Sequence, residues 1–387
     1  MPRHRPVAVL PALVLALVLG AGGLAACSAR PAPTGAPEAS RTPSAVPTGV
    51  VPTGVVPTGT PTDVVTGLAS PWSILRVSSK LTLVSERDSG AVERLTASGA
   101  LQQIGTVPGV VHDGEGGLLG LAFLEASSGT RTGWLYAYET TASDNRIVRM
   151  SLSDTFALGP PQVILKGLVA ANHHDGGRIA FGPDGMLYAT VGDAGDTSHS
   201  QDLTSLNGKI LRMTPTGDVP RDNPFPGSLI WSYGHRNPQG LAWDSRGQLY
   251  AAEFGQDTWD EFNKITKGAD YGWPIVEGIA HDPRFVDPLV QWPTDDASPS
   301  GLAYLDGTFF LAGLGGQRLW VINLDAAGAA KATALYVGTY GRLRDVAAGP
   351  SAGALPTLWI LTDNTDGRGS PHPGDDRILQ VALKAAG

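Results

Sequence analysis

The sequence predicts an all-β fold, a six-bladed β-propeller, and three observations carry that prediction. Fifty glycines and thirty prolines punctuate the chain too often for long helices. No stretch keeps a helical period of apolar residues. One pattern of short apolar strands joined by tight turns recurs six times.

The recurrence can be followed unit by unit. Pro71-Trp72-Ser73-Ile74-Leu75 leads to Leu81-Thr82-Leu83-Val84 and then to Ala91-Val92-Glu93-Arg94-Leu95. The second unit reads 118–123, 134–138 and 146–150. The third runs from Arg178 through the turn Gly182-Pro183-Asp184-Gly185 into 186–191 and later 209–213. The fourth pairs 240–243 with 249–252, the fifth 301–304 with 309–311 and 318–323, and the sixth 345–347 with 358–361 and 377–381. Six units share about 325 residues, roughly 54 each, the size of four-stranded blades with generous loops. A single small sheet cannot bury both faces, so stacking around an axis supplies the core. Residues 63–68 are placed to complete the last blade and close the ring.

The segment before the repeats has a different character. Arg3, His4 and Arg5 form a basic start, 7–19 are almost wholly apolar, and small residues follow at 20–23. The run is too short for a membrane span. It ends in Leu24-Ala25-Ala26-Cys27, which resembles a bacterial lipobox with Cys27 as the acylated residue. Cys27 is the one cysteine of the chain, so no internal disulfide can form. Residues 1–26 are therefore expected to be a lipoprotein signal peptide. Residues 27–62, rich in Ala, Pro and Thr with Pro-Thr-Gly at Pro47, Pro52 and Pro57, are expected to be a disordered stalk. The propeller then covers 63–387, held outside the cytoplasm on the membrane through the lipid on Cys27. A net charge of −8 gives a nucleic-acid partner no electrostatic support.

The loops carry the candidate chemistry, because ligands of such scaffolds sit on loops held by rigid strands. His173-His174-Asp175-Gly176-Gly177 precedes a strand; a histidine there suits a general base, a metal ligand or a plain loop. As neighbours on an extended chain, the two imidazoles are expected to point apart. Gly234-His235-Arg236-Asn237-Pro238 places a guanidinium beside an amide, fit to orient an oxygen or simply to make a surface turn. The acidic stretch 253–261 with Asp270-Tyr271-Gly272-Trp273-Pro274 suits either a hard cation such as calcium or a solvated loop. Arg342 and Arg344 alternate on a strand and can converge on one anion, or form a surface pair. Asp113-Gly114-Glu115-Gly116-Gly117 is a polar turn entering a strand.

Taken together and in this order, the segments 113–123, 174–193, 208–212, 222–225, 234–241, 260–274 and 342–345 resemble the glucose/sorbosone dehydrogenase family, most closely its aldose sugar dehydrogenase branch. The resemblance covers essentially everything after the stalk. It implies oxidation of an aldose sugar at C1 by hydride transfer to pyrroloquinoline quinone (PQQ), with calcium, an external electron acceptor and a histidine base. His174 takes the position of that base, and Arg236 that of the arginine stabilising developing oxyanion charge. Asn237, Arg342 and Arg344 match cofactor-binding positions, and Glu115 falls beside the cofactor. The carbonyls of Gly255 and Gln256 match ligands of the cofactor's calcium. Glu261 and the carbonyl of Tyr271 resemble a second, structural calcium site.

The chain departs from this pattern at four places. Gly255-Gln256 replaces a frequent Gly-Pro, Glu115 replaces a glutamine of some relatives, and His173 stands where some have Asp. The fifth unit, Gly313-Leu314-Gly315-Gly316-Gln317-Arg318, lacks a cofactor-binding lysine, with Arg318 as the nearest substitute. Two other functions share the same residues: a non-catalytic propeller that binds sugar or wall polymer, and a lactonase-type hydrolase with a metal held by Glu115, His174 and Asp193.

Overall fold

A computed structural model describes residues 54–126 and 132–386. The signal peptide expected over 1–26, Cys27 and the stalk as far as residue 53 lie outside the described residues.

The described chain forms six four-stranded antiparallel sheets. The first strand, β1 (Val55–Thr66), belongs to the last sheet. Blade one holds β2 (Pro71–Ser78), β3 (Leu81–Glu86), β4 (Ala91–Leu95) and β5 (Leu101–Thr106). Blade two holds β6 (Leu118–Glu125), β7 (Gly133–Thr140), β8 (Asn145–Leu152) and β9 (Gln162–Leu168). Blade three holds β10 (Ile179–Phe181), β11 (Leu187–Val191), β12 (Lys209–Met213) and β13 (Ile230–Tyr233), with one short helix, α1 (Ser198–Gln201), in a loop. Blade four holds β14 (Asn237–Trp243), β15 (Leu249–Phe254), β16 (Trp259–Lys264) and β17 (Val290–Pro293). Blade five holds β18 (Pro299–Leu305), β19 (Thr308–Gly313), β20 (Arg318–Leu324) and β21 (Ala330–Leu335). Blade six holds β22 (Leu343–Ala352), β23 (Leu355–Thr362) and β24 (Arg377–Ala385), and β1 joins it as the outermost strand.

β1 pairs antiparallel with β24 from Val55↔Ala385 to Thr66↔Arg377. The expected stalk boundary at residue 62 is thus corrected. The segment 55–62 has stalk-like composition but gains a strand's hydrogen bonds, and Val55 and Val65 are buried by it. Closure by the chain's own start satisfies an edge that would otherwise stay open.

The core is divided among the seams between blades. Leu83 and Val92 of blade one pack on Leu118 and Ala137 of blade two. Tyr136 and Ile147 meet Ile179 and Leu187 at the next seam. Comparable clusters fill the remaining four seams, ending with Ile74 and Val84 against Trp359 and Ile378. The ring's centre is polar instead. Arg178, at the start of β10, donates to Asp345 Oδ2 (3.0 Å) on the opposite blade and to the Gln239 carbonyl (2.9 Å). Its guanidinium also lies 4.2 Å from the Trp72 ring. Four blades are thereby tied across the axis.

Candidate active site

Residues at the N-terminal ends of the innermost strands gather at one end of the channel. There a cavity of about 200 Å³ is lined by Trp72, Glu115, Gln239, Phe254, Arg342, Arg344 and Arg368, with Ser298 and Leu314. Glu115, Arg342 and Arg344 are brought together there.

His174 lies against this cavity through Glu115, whose Oε2 accepts the His174 N–H (3.0 Å). Its φ of 61° is unusual for a residue with a side chain and costs on the order of 1 kcal/mol. Neighbours hold it there. A Cβ at Gly192 would lie 1.9 Å from the His174 carbonyl oxygen, so only glycine fits beneath it. Asn237 is buried, and its Oδ1 accepts the Gly176 N–H (3.0 Å), tying the same loop to blade four. Asn237 is not part of the cavity lining. The turn also corrects one expectation. The rings of His173 and His174 do not point apart; they meet edge to face with centroids 4.3 Å apart, because the chain is not extended at 174.

His174 Nδ1 lies 2.7 Å from Asp193 Oδ1. Asp193 Oδ2 accepts the Trp273 indole N–H (2.9 Å), and its Oδ1 accepts the Gly195 N–H (2.8 Å). Burial pushes the Asp193 carboxyl up, but these donors outweigh it and hold it below the usual range. An ionised carboxylate only accepts, so this contact places a proton on His174 Nδ1.

Arg236 is buried beside Trp273, with its guanidinium 5.6 Å from the ring. Its Nε and Nη2 both donate to Gln256 Oε1 (2.9 and 2.7 Å). Its backbone N–H donates to Glu253 Oε1 (2.5 Å). The other Glu253 oxygen pairs with His235 Nδ1 (2.7 Å), and His235 Nε2 reaches the Ser232 hydroxyl (2.8 Å). His235 is wholly buried and stacked on Tyr271.

A second, much smaller space of about 10 Å³ lies next to Arg236, lined by Glu253, Gly255, Glu261, Tyr271 and Glu277 among others. Of the calcium positions expected from the sequence, Gly255, Glu261 and Tyr271 meet here. Burial and the Glu253 charge push the Glu261 carboxyl up to about 8. The acidic stretch is less of a loop than expected: β15 ends at Phe254 and β16 begins at Trp259, so Asp260 and Glu261 are strand residues. The intervening turn is clasped by Glu277 Oε1, which accepts N–H groups from Gln256 (2.6 Å), Asp257, Thr258 and Trp259. A proline at 256 could not donate the first of these. Among the described residues no three or more His, Cys, Asp or Glu side chains are grouped to hold a metal ion. Glu115 meets the backbone N–H of His174 and the Arg368 guanidinium, while Asp193 meets His174 Nδ1 and Trp273, so the three side chains are not gathered as one ligand set.

Arg342 donates Nε and Nη2 to Asp366 Oδ2 (3.0 and 2.8 Å), and Arg344 donates Nε to Asp363 Oδ2 (2.7 Å). Arg318 does not replace the missing lysine. It donates to the Gly316 carbonyl, pairs with Asp296 (3.0 Å) and stays outside the cavity lining.

Residues 68–371 match the family model described as glucose/sorbosone dehydrogenase. The chain belongs to the glucose/sorbosone dehydrogenase family. Among solved structures, this family member is similar to the PQQ-bound aldose sugar dehydrogenase of Streptomyces coelicolor, at 50% identity, covering 86% of this chain and 98% of that one with a TM-score of 0.79. It is also similar to the apo form of the soluble aldose sugar dehydrogenase of Escherichia coli, at 25% identity, 86% and 100% coverage and a TM-score of 0.72. Quinoprotein glucose dehydrogenase B of Acinetobacter calcoaceticus is 32% identical over 57% of this chain, a match spanning 53% of that protein's length.

Glu277, Asp363, Asp366 and Arg368, and the roles of Trp273 and the Gln256 side chain, were not legible in the sequence. They lie in loops rich in Gly, Asp and Pro, where spacing carries no periodic signal.

Proposed function

We propose that the chain is a PQQ- and calcium-dependent dehydrogenase that oxidises aldose sugars at C1. The carrying observation is His174, its Nδ1 held by an ionised Asp193, on a loop that Glu115 ties to a cavity walled by three guanidinium groups. The donor set suits the cofactor's chemistry: PQQ is a planar tricarboxylate, and arginine forks recognise carboxylates in two-point fashion. Trp72 and Phe254 supply flat apolar walls. The small space beside Glu261 suits a single hard cation. It has about the volume of one ion or water, carboxylates line it, and next to it Asn263 Oδ1 is buried without a hydrogen-bond partner. Glu261 and the carbonyl of Tyr271 would serve a structural calcium there, while the carbonyls of Gly255 and Gln256 would hold the calcium at the cofactor.

PQQ, when bound, supplies a two-electron acceptor for the sugar's hydride. The protein's own residues do the rest. His174 Nε2 accepts the C1 hydroxyl proton as that hydrogen leaves, and the Asp193 carboxylate stabilises the resulting imidazolium. Arg236, held by Gln256, presents fixed positive charge to an oxygen that gains electron density. The reduced site then passes its electrons to an external acceptor. The same proposal places the protein outside the cytoplasm, anchored by a lipid on Cys27.

Reconstitution of the full-length chain with calcium and PQQ tests this directly, with dye reduction followed over a panel of aldoses. His174→Ala is expected to lower turnover by about 10²- to 10⁴-fold while quinone still binds. Absence of quinone uptake by calorimetry, or full turnover in His174→Ala, overturns the assignment.

A further inference from the structure

The three guanidinium groups facing the cavity are not equivalent. Arg342 and Arg344 are each neutralised by an aspartate whose side chain is almost completely buried. Arg342 spends two of its donors on Asp366, and Arg344 spends donors on Asp363 and on Gln239 Oε1 (3.2 Å). Both are fixed wall charges with part of their hydrogen-bonding capacity consumed. Arg368, from the loop between β23 and β24, differs. Its side chain is 52% exposed, and its one side-chain hydrogen bond among the described residues runs from Nη1 to Glu115 Oε1 (2.8 Å).

The base of Arg368 is nonetheless held. Asp366 Oδ1 accepts the N–H groups of Arg368 (2.9 Å) and Gly369 (3.0 Å), while Asp366 Oδ2 clamps Arg342. One carboxylate therefore sets the spacing between the fixed arginine and the free one. Glu115 is doubly engaged as well: it holds the Arg368 guanidinium and the backbone of His174. The turn 313–318 of the fifth blade meanwhile offers no lysine, and Arg318 is turned onto Asp296.

We propose that Arg368 is a third cofactor-binding residue, a cation that meets a carboxylate of the quinone in place of the absent lysine and is parked on Glu115 until the cofactor arrives. The inference rests on the quinone-dependent reading above. Arg368 swings from one carboxylate to another, so the exchange conserves charge pairing. Glu115 keeps the His174 N–H as a partner after release.

The test is a titration of the quinone-free full-length protein with PQQ in the presence of calcium, followed by quenching of tryptophan fluorescence. Arg368→Ala is expected to weaken binding by about 10- to 100-fold and to flatten its dependence on ionic strength. Arg368→Lys, which keeps the charge, restores most of the affinity and also serves if the alanine variant folds poorly. Glu115→Gln binds at least as tightly as the parent chain, since the guanidinium no longer has to be released from an anion. The loss from Arg368→Ala persists in the Glu115→Gln background. If it vanishes there, Arg368 is only the counter-ion of Glu115 and the proposal fails. It fails equally if Arg368→Ala binds like the parent, or if the salt dependence stays unchanged while only the melting temperature moves. Failure of the parent chain to bind PQQ at all overturns the functional reading itself, an outcome distinct from loss of the Arg368 assignment alone.

Discussion

His174 shows how much a single residue's conformation decides. At its positive φ, Nδ1 meets Asp193, and the proposed mechanism assigns Nε2 to the substrate. Replacing Asp193 by Asn removes the charge that stabilises an imidazolium and allows the other tautomer, so turnover is expected to fall by at least about 10²-fold with quinone affinity kept. Steady-state kinetics beside a binding titration separates the two effects. Its neighbour Asp175 gives a different kind of signal. Burial pushes that carboxyl up to about 7, and its Oδ2 has no hydrogen-bond partner. The folded chain thus holds this proton more tightly than the unfolded chain, whose aspartates titrate near about 4. The stability that depends on the proton is complete below that pH and is lost as pH rises through about 7. Asp175→Asn is therefore expected to melt at least about 2 °C higher than the parent at pH 8, with little gain at pH 4. Equal gains at both pH values would show that the carboxyl is not the cause. His174, Arg236, Arg342 and Arg344 could be singled out as candidates because each stands in or shortly before an inner strand of a recurring frame. Arg368 was not, because its partner Glu115 is 253 positions away and only the closed ring brings them together.

At the scale of elements, the turn 255–258 and its clasp carry the most information. A glutamine at 256 lacks the ring that would stiffen a proline there. Instead the Gln256 N–H is held by Glu277, and the Gln256 side chain holds Arg236. Gln256→Ala, which keeps the backbone bond, is expected to lower turnover by about tenfold and leave calcium affinity unchanged. Glu277→Ala, which frees four N–H groups, is expected to weaken calcium binding by about 10- to 100-fold. Calcium titration of both variants tells the roles apart, and a reversed pattern would sink them. The strands themselves were unevenly legible. Every inner strand read from the sequence is present, because buried strands need continuous apolar residues. Outer strands such as β5 and β21, with patterns like Leu-Gln-Gln-Ile and Ala-Lys-Ala-Thr, are half exposed and carry too few large apolar residues to announce themselves.

For the whole molecule, closure is the decisive event. β1 supplies the last strand of blade six, and Val55 and Val65 sink into the seams on either side of that blade. Each such side chain contributes about 1.5–3 kcal/mol when fully buried. A chain beginning at residue 54 is expected to melt with the full-length protein. One beginning at residue 67 leaves the β24 edge unpaired and should melt at least about 10 °C lower or aggregate. Equal melting temperatures would show that the ring closes without β1. The sequence by itself determined the class of fold, the number of blades and the loops that carry the chemistry, because apolar periodicity and turn residues are local properties of the chain. The tertiary structure alone decided where the first strand goes, which carboxylate orients His174, and that Arg368 meets Glu115. The first and last depend on residues hundreds of positions apart meeting when the ring closes, and the second on a positive φ at His174, and no local pattern encodes either.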